Sequence, residues 1–227
     1  IIANEKQLVI RRMPFLEQLL SNEITEIYQD RDGIIWLGTS EGVVRYDGYT
    51  AQTFRSDYKT PQLLTDNYII CFTEDEEKLW IGTVNGLNLL DKNTYQITPF
   101  PHKEIQSKST GALLTDHQGF IWIASSTDLY RCTPDLSIIK PYNIYSSLPT
   151  KTAINSLYED RKGNIWVLTW GNGLFKYSPD TDNFIHYPPI GNQNLPFNML
   201  EDNDGRYWII TWGDGVWSFD PEQLSEK

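Results

Sequence analysis

The sequence predicts an all-β fold built from one repeated unit of four antiparallel strands. Three observations point there. The phrase "GNIWVLTWGNGLFKYSP" (Gly163–Pro179) returns 42 residues later as "GRYWIITWGDGVWSFDP" (Gly205–Pro221). Aligned on Trp36, Trp80, Trp122, Trp166 and Trp208, the chain repeats at intervals of 44, 42, 44 and 42 residues. No convincing amphipathic helix is present, which excludes a helical solenoid.

Each unit divides into short strands. Strand A ends on acidic residues, as in Ile24–Asp30 or Ile154–Asp160. A polar turn closing on Gly follows, as in Asp30–Gly33, because Gly takes the positive φ that hairpin turns need. Strand B carries the tryptophan (Ile34–Thr39, Asn164–Thr169), with a hydroxyl three residues further on: Thr39, Thr83, Ser125, Thr169 and Thr211. A second Gly turn leads to strand C (Val43–Asp47, Leu174–Tyr177), and a β-branched and aromatic run forms strand D (Gln52–Arg55, Phe184–Tyr187). Pro61, Pro101, Pro149 and Pro196 are placed in the connections between units.

Strand B is apolar on both faces: Ile35, Trp36 and Leu37 alternate in direction yet none is polar. A sheet covered on both sides and repeated about every 42 residues fits a β-propeller blade stacked between neighbours. The predicted blades are about 21–57, 66–100, 110–142, 152–187 and 196–227. The fifth ends after strand C, and Glu222–Lys227 does not read as a strand D. Within the N-terminal segment 1–20, Leu8–Arg12 is a candidate ring-closing strand. Two repeats depart from the pattern: the second has a shortened first turn (Glu76–Lys78), and the third has Asp128 where the second turn carries Gly.

Composition narrows the function. The net charge of −11 disfavours nucleic acid and anionic lipid as partners. Apolar runs such as Tyr68–Phe72 reach five residues, far below the roughly 18–20 that span a bilayer. There is no initiator Met and no signal-peptide pattern, so the chain reads as mature or trimmed. Cys71 and Cys132 lie in different repeats and strand types, and both are expected as free thiols without a metal.

The repeated text "D-x-x-G-x-I-W-I-G-T-x-x-G-L-x-x-Y-D" resembles the two-component-regulator propeller repeat, five times over from about Ser21 to Pro221. The resemblance implies a periplasmic, extracytoplasmic sensor of a hybrid two-component system. Such sensors carry seven-bladed rings, of which five blades would be a portion. It further implies detection of glycan-derived oligosaccharides and self-association as a dimer.

One pair of residues stands out as a candidate site. The second Gly turn lengthens by one residue in the last two repeats, from "TSEGV" to "TWGNGL" and "TWGDGV". In a propeller these B–C turns share a face with the D–A connections. Trp170 and Trp212, from adjacent blades, are therefore expected side by side, with Asn172 and Asp214 as polar partners for sugar hydroxyls. The competing reading makes the two indoles wedges that only cover the neighbouring blade. The Asp-rich turns Asp30–Gly33 and Asp202–Gly205 lack the ligand spacing of a calcium loop and read as turn caps. His102, His117 and His186 form no cluster, and no hydrolase, phosphate-loop or metalloprotease motif is present, so neither catalysis nor a cofactor is expected. A scaffold propeller for dimerisation or partner docking is the second reading.

Overall fold

A computed structural model describes residues 19, 21–59, 63–187 and 195–219. The first blade comprises β1 (Ile24–Gln29), β2 (Ile35–Thr39), β3 (Gly42–Tyr46) and β4 (Ala51–Phe54). The second comprises β5 (Ile69–Glu74), β6 (Lys78–Thr83), β7 (Gly86–Asp91) and β8 (Ile97–Pro99). The third comprises β9 (Thr110–Thr115), β10 (Ile121–Ser125), β11 (Asp128–Cys132) and β12 (Ile139–Tyr142). The fourth comprises β13 (Ile154–Glu159), β14 (Ile165–Thr169), β15 (Gly173–Ser178) and β16 (Asn183–Tyr187). The fifth holds β17 (Pro196–Glu201), β18 (Tyr207–Thr211) and β19 (Gly215–Phe219). All five sheets are antiparallel with strands in sequence order, as the repeats predict. Glu222–Lys227 and the Leu8–Arg12 run lie outside the described residues.

The repeated Asp and Trp act together. Each strand-B indole donates from Nε1 to the carboxylate of the residue that follows strand A: Trp36 to Asp30, Trp80 to Asp75, Trp122 to Asp116, Trp166 to Asp160 and Trp208 to Asp202, all at 2.7–2.9 Å. The other carboxylate oxygen accepts the turn's backbone N–H groups, as Asp30 does from Asp32 and Ile34. One side chain thus caps the A–B turn and fixes the core indole. The two departures are accommodated locally. In the second blade the shorter turn closes with Asp75 N–H on the Lys78 carbonyl and needs no left-handed residue. In the third, the positive φ moves to Ser126 (57°), which frees Asp128 from having to be Gly.

Four of the five tryptophans are buried as expected, Trp36 at 1% exposure and Trp80, Trp122 and Trp166 at 0%. Trp208 is a correction: it is 37% exposed. The reason lies in the stacking. Each of the four buried indoles is sandwiched between its own sheet and the next, as Trp166 is against Tyr207 and Phe219 at ring distances of 5.5 and 6.0 Å. Among the described residues no sixth sheet follows the fifth, so Trp208, Leu200, Ile210 and Val216 share an open face. Two smaller corrections concern connections. Pro196 opens β17, where a missing N–H is tolerated. A single helical turn, α1 (Lys103–Gln106), is too short to leave a periodic signature. Both cysteines are free.

Adjacent blades are tied on the A–B-turn side by a recurring contact. The last residue of strand A accepts the first turn N–H of the preceding blade: Arg31 N–H to Glu74 (2.8 Å), His117 N–H to Glu159 (3.0 Å) and Arg161 N–H to Glu201 (2.8 Å). Thr115 takes this place between the second and third blades, donating to the Glu74 carbonyl. Of these links, the one between the third and fourth blades includes a histidine, since His117 Nδ1 also meets Glu159 Oε1. The ring packs so closely on Gly163 (φ 78°) that an added Cβ there would come within 2.7 Å of it. The Glu159 hydrogen bond raises the His117 pKa above its ordinary 6.5. A raised histidine stabilises fully below its unfolded value and loses that contribution as pH rises through the folded one. The melting temperature of the protein is therefore expected to fall slightly above pH 6.5, and the His117→Gln variant to lack that component.

The inner strands β1, β5, β9, β13 and β17 line an open central cavity, the channel of this fold, of about 620 Å³. Each carries a bulge at the same place: Thr25, Ile70, Gly111, Asn155 and Phe197 are skipped by the pairing with strand B. A bulge bends its strand and re-aims the extra residue, and all five of these residues line the channel.

Candidate functional site

The B–C turns and the connections into strand A meet on one face. Trp170 N–H donates to the Ala153 carbonyl (2.8 Å) and Trp212 N–H to the Leu195 carbonyl (2.9 Å). The extra turn residue is visible in the hydroxyl closure. Thr39 Oγ1 reaches the carbonyl of Gly42, three residues on, whereas Thr169 and Thr211 reach Gly173 and Gly215, four residues on. The longer loop needs two left-handed glycines each time, Gly171 (φ 115°) with Gly173 (77°) and Gly213 (89°) with Gly215 (76°). This backbone holds the preceding tryptophan out of the sheet.

The two indoles are neighbours, as expected, with centroids 6.5 Å apart and planes inclined by 46°. They stay accessible, Trp170 at 40% and Trp212 at 62%. Asn172 lies beside them, but its amide nitrogen already donates to the Thr150 carbonyl and Thr152 Oγ1 (2.9 and 3.2 Å), tying the turn to the incoming connection. The Asp214 carbonyl accepts Trp217 Nε1 (3.0 Å). His186 is structural, stacked on Phe175 and bonded to the Asn172 carbonyl. It braces the same turn.

One residue at this face was not singled out from sequence. Phe197, 52% exposed, places its ring 6.3 Å from that of Trp212 and also lines the channel. Its signal is the bulge, which the residue type alone does not reveal. Nearby channel-lining groups are Tyr68, whose hydroxyl lies 3.4 Å from the Glu23 carboxylate, and Glu26, whose pKa is raised by burial. Among the described residues no group of three or more His, Cys, Asp or Glu is arranged to hold a metal, and no helix is long and apolar enough to cross a membrane.

The geometry of repeated blades agrees with a family match. The family model described as "Two component regulator propeller" matches residues 18–41, 63–85 and 147–171, which span strands A and B of the first, second and fourth blades. In these three segments the chain is similar to two-component regulator propeller repeats. The chain also aligns with "Histidine kinase P4" of Formosa agariphila, 26% identical over 173 residues, covering 70% of this chain and 12% of that protein. In structure it is similar to the extracellular domain of a proposed hybrid two component system from B. thetaiotaomicron, with 23% identity and a TM-score of 0.69. That match covers 87% of this chain and 27% of the other. Virginiamycin B lyase from Staphylococcus aureus is similar at 15% identity and a TM-score of 0.64, over 87% of this chain and 70% of the lyase. The last two establish the propeller fold. The chain thus spans only a small part of the length of the kinase it matches.

Proposed function

We propose that the chain is a ligand-sensing, non-catalytic propeller module in the extracytoplasmic part of a hybrid two-component signalling protein, and that its ligand is a glycan-derived oligosaccharide. The repeat family and the resemblance to a histidine kinase support the signalling context. The extracellular origin of a structural neighbour supports a periplasmic setting. The observation that carries the ligand reading is the pair of accessible, adjacent indoles on the turn face. Indole faces stack on the apolar faces of sugar rings, and the neighbouring Asp214 supplies an acceptor for hydroxyls. The lyase neighbour shows that this fold also hosts enzymes, but the three histidines here lie in separate packing roles against Tyr130, Glu159 and Phe175.

Calorimetric titration with neutral glucan, xylan, mannan and galactan oligosaccharides tests the proposal. At least one is expected to bind, and Trp170→Ala and Trp212→Ala are each expected to cost about 1–3 kcal/mol of affinity with the fold intact, by analogy with bases stacking on aromatics. Unchanged affinity with lowered stability would make the indoles packing wedges. A scaffold role, in docking or dimerisation, is favoured by the open face of Trp208, Ile210 and Val216. It predicts no saccharide binding and a concentration-dependent assembly.

A further inference from the structure

The aromatic surface does not end at the two turn tryptophans. Trp212 lies between Trp170 (6.5 Å) and Phe197 (6.3 Å), with interplanar angles of 46° and 53°. The three rings form a curved series rather than a stack. They lead from the outer turn of the fourth blade to the central channel, which Phe197 lines. The position of Phe197 is set by backbone. It is the bulged residue of β17, two residues beyond the Leu195 carbonyl that holds the Trp212 N–H. The equivalent bulges carry Thr25, Ile70, Gly111 and Asn155, so of the five blades this is the one whose bulge presents an aromatic ring to the mouth. Phe197 is half exposed and extends the accessible aromatic surface of Trp170 and Trp212, and contiguous apolar patches of this kind mark binding surfaces.

The cavity beyond the rings mixes apolar residues with polar ones, and its charged residues are acidic. Glu23, Glu26, Tyr68, Asn155 and Asn198 line it, and among the described residues none that lines it is Lys, Arg or His. Amides, hydroxyls and carboxylates suit sugar hydroxyls. A uronate or sulfate entering here would meet two carboxylates with no cation among the described lining residues, in a chain of net charge −11.

Building on the oligosaccharide reading above, we infer that Phe197 is a third ligand-contacting ring and that the ligand is a neutral, linear oligosaccharide. It runs from Trp170 across Trp212 onto Phe197, with its end at the mouth of the central channel. Selectivity for length and for absence of charge then resides in Phe197 and in the Glu23–Glu26 pair rather than in the turn tryptophans.

The test uses the whole protein, the neutral oligosaccharide that binds it, a series of that sugar from disaccharide to hexasaccharide, and a uronate-bearing analogue of equal length. Affinity is expected to rise with length. Phe197→Ala is expected to cut affinity for the longest member about tenfold while leaving the disaccharide unchanged. The uronate analogue is expected to bind more weakly, and Glu23→Gln with Glu26→Gln to restore its binding. Circular dichroism and melting curves verify that the variants fold. Equal affinity of Phe197→Ala and the parent protein for every length would overturn the third ring. Equal affinity for neutral and uronate ligands would overturn the charge selection. If Trp170→Ala and Trp212→Ala leave binding unchanged while Phe197→Ala weakens it, the turn-tryptophan reading fails and the channel mouth alone is the site. If no saccharide binds and Phe197→Ala instead converts a dimer to monomer in light scattering, the rings are a self-association face and both readings fall.

Discussion

Trp166→Ala is expected to destabilise the protein by about 3–5 kcal/mol, the range for deleting a large buried aromatic side chain. The indole is fully buried between the fourth and fifth blades. It packs on Tyr187, Tyr207 and Phe219, and Lys176 Nζ sits 5.5 Å from its ring. Its loss opens a cavity at an inter-blade interface and leaves an Asp160 oxygen with one donor fewer. Trp208→Ala removes the same residue from the same place in the repeat, yet its cost is expected at about 1–2 kcal/mol, because its outer face is already wet. Equilibrium urea unfolding measures both. Equal losses would mean that the fifth blade is covered in solution.

Asp160→Ala is expected to cost a similar amount, about 3–5 kcal/mol, through unmade hydrogen bonds rather than a void. The carboxylate accepts Trp166 Nε1 (2.9 Å), the Tyr207 hydroxyl of the next blade (2.5 Å) and the N–H groups of Lys162 and Asn164. Removing it orphans a buried indole and a buried phenol at once, at about 1–3 kcal/mol each. Because Trp166 and Asp160 share a bond, the double variant is expected to lose less than the two single losses added together. The same carboxylate makes the fold acid-sensitive. Burial opposes its ionisation, but the bonds from Tyr207, Trp166 and Asn164 outweigh it and hold the pKa below the ordinary 3.8. A lowered carboxyl contributes stability above its unfolded value and loses it as pH falls through the folded one. Stability is thus expected to fall below about pH 4, and less steeply in Asp160→Ala.

These effects also explain which parts of the molecule were legible in the sequence. The blade was, because each repeated residue does one distinct physical thing. Asp30 and its equivalents cap, Gly33 turns, Trp36 fills, and Thr39 closes the second turn. The indole pair was also legible, because the one-residue insertion before Gly173 and Gly215 changes the hydroxyl closure in a countable way. Exposure of Trp208 was not, since its local sequence matches that of Trp166 and only the next sheet decides burial. Phe197 was not, because a bulge leaves no signature when the skipped residue is Thr, Ile, Gly, Asn or Phe in turn. Asn172 was legible as a polar residue of the turn, but its bonds to Thr150 and Thr152 follow from the path of the incoming connection.

The glycan platform is tested most directly by the indole N–H resonances of isotope-labelled protein during titration with the neutral oligosaccharide series. The eight tryptophans report separately on core and surface. Trp36, Trp80, Trp122 and Trp166, buried and bonded to carboxylates, are expected to stay in place, while Trp170 and Trp212 shift in a saturable manner that sharpens with chain length. A saccharide that binds without moving Trp170 or Trp212, or a full neutral series that moves neither, would contradict the account.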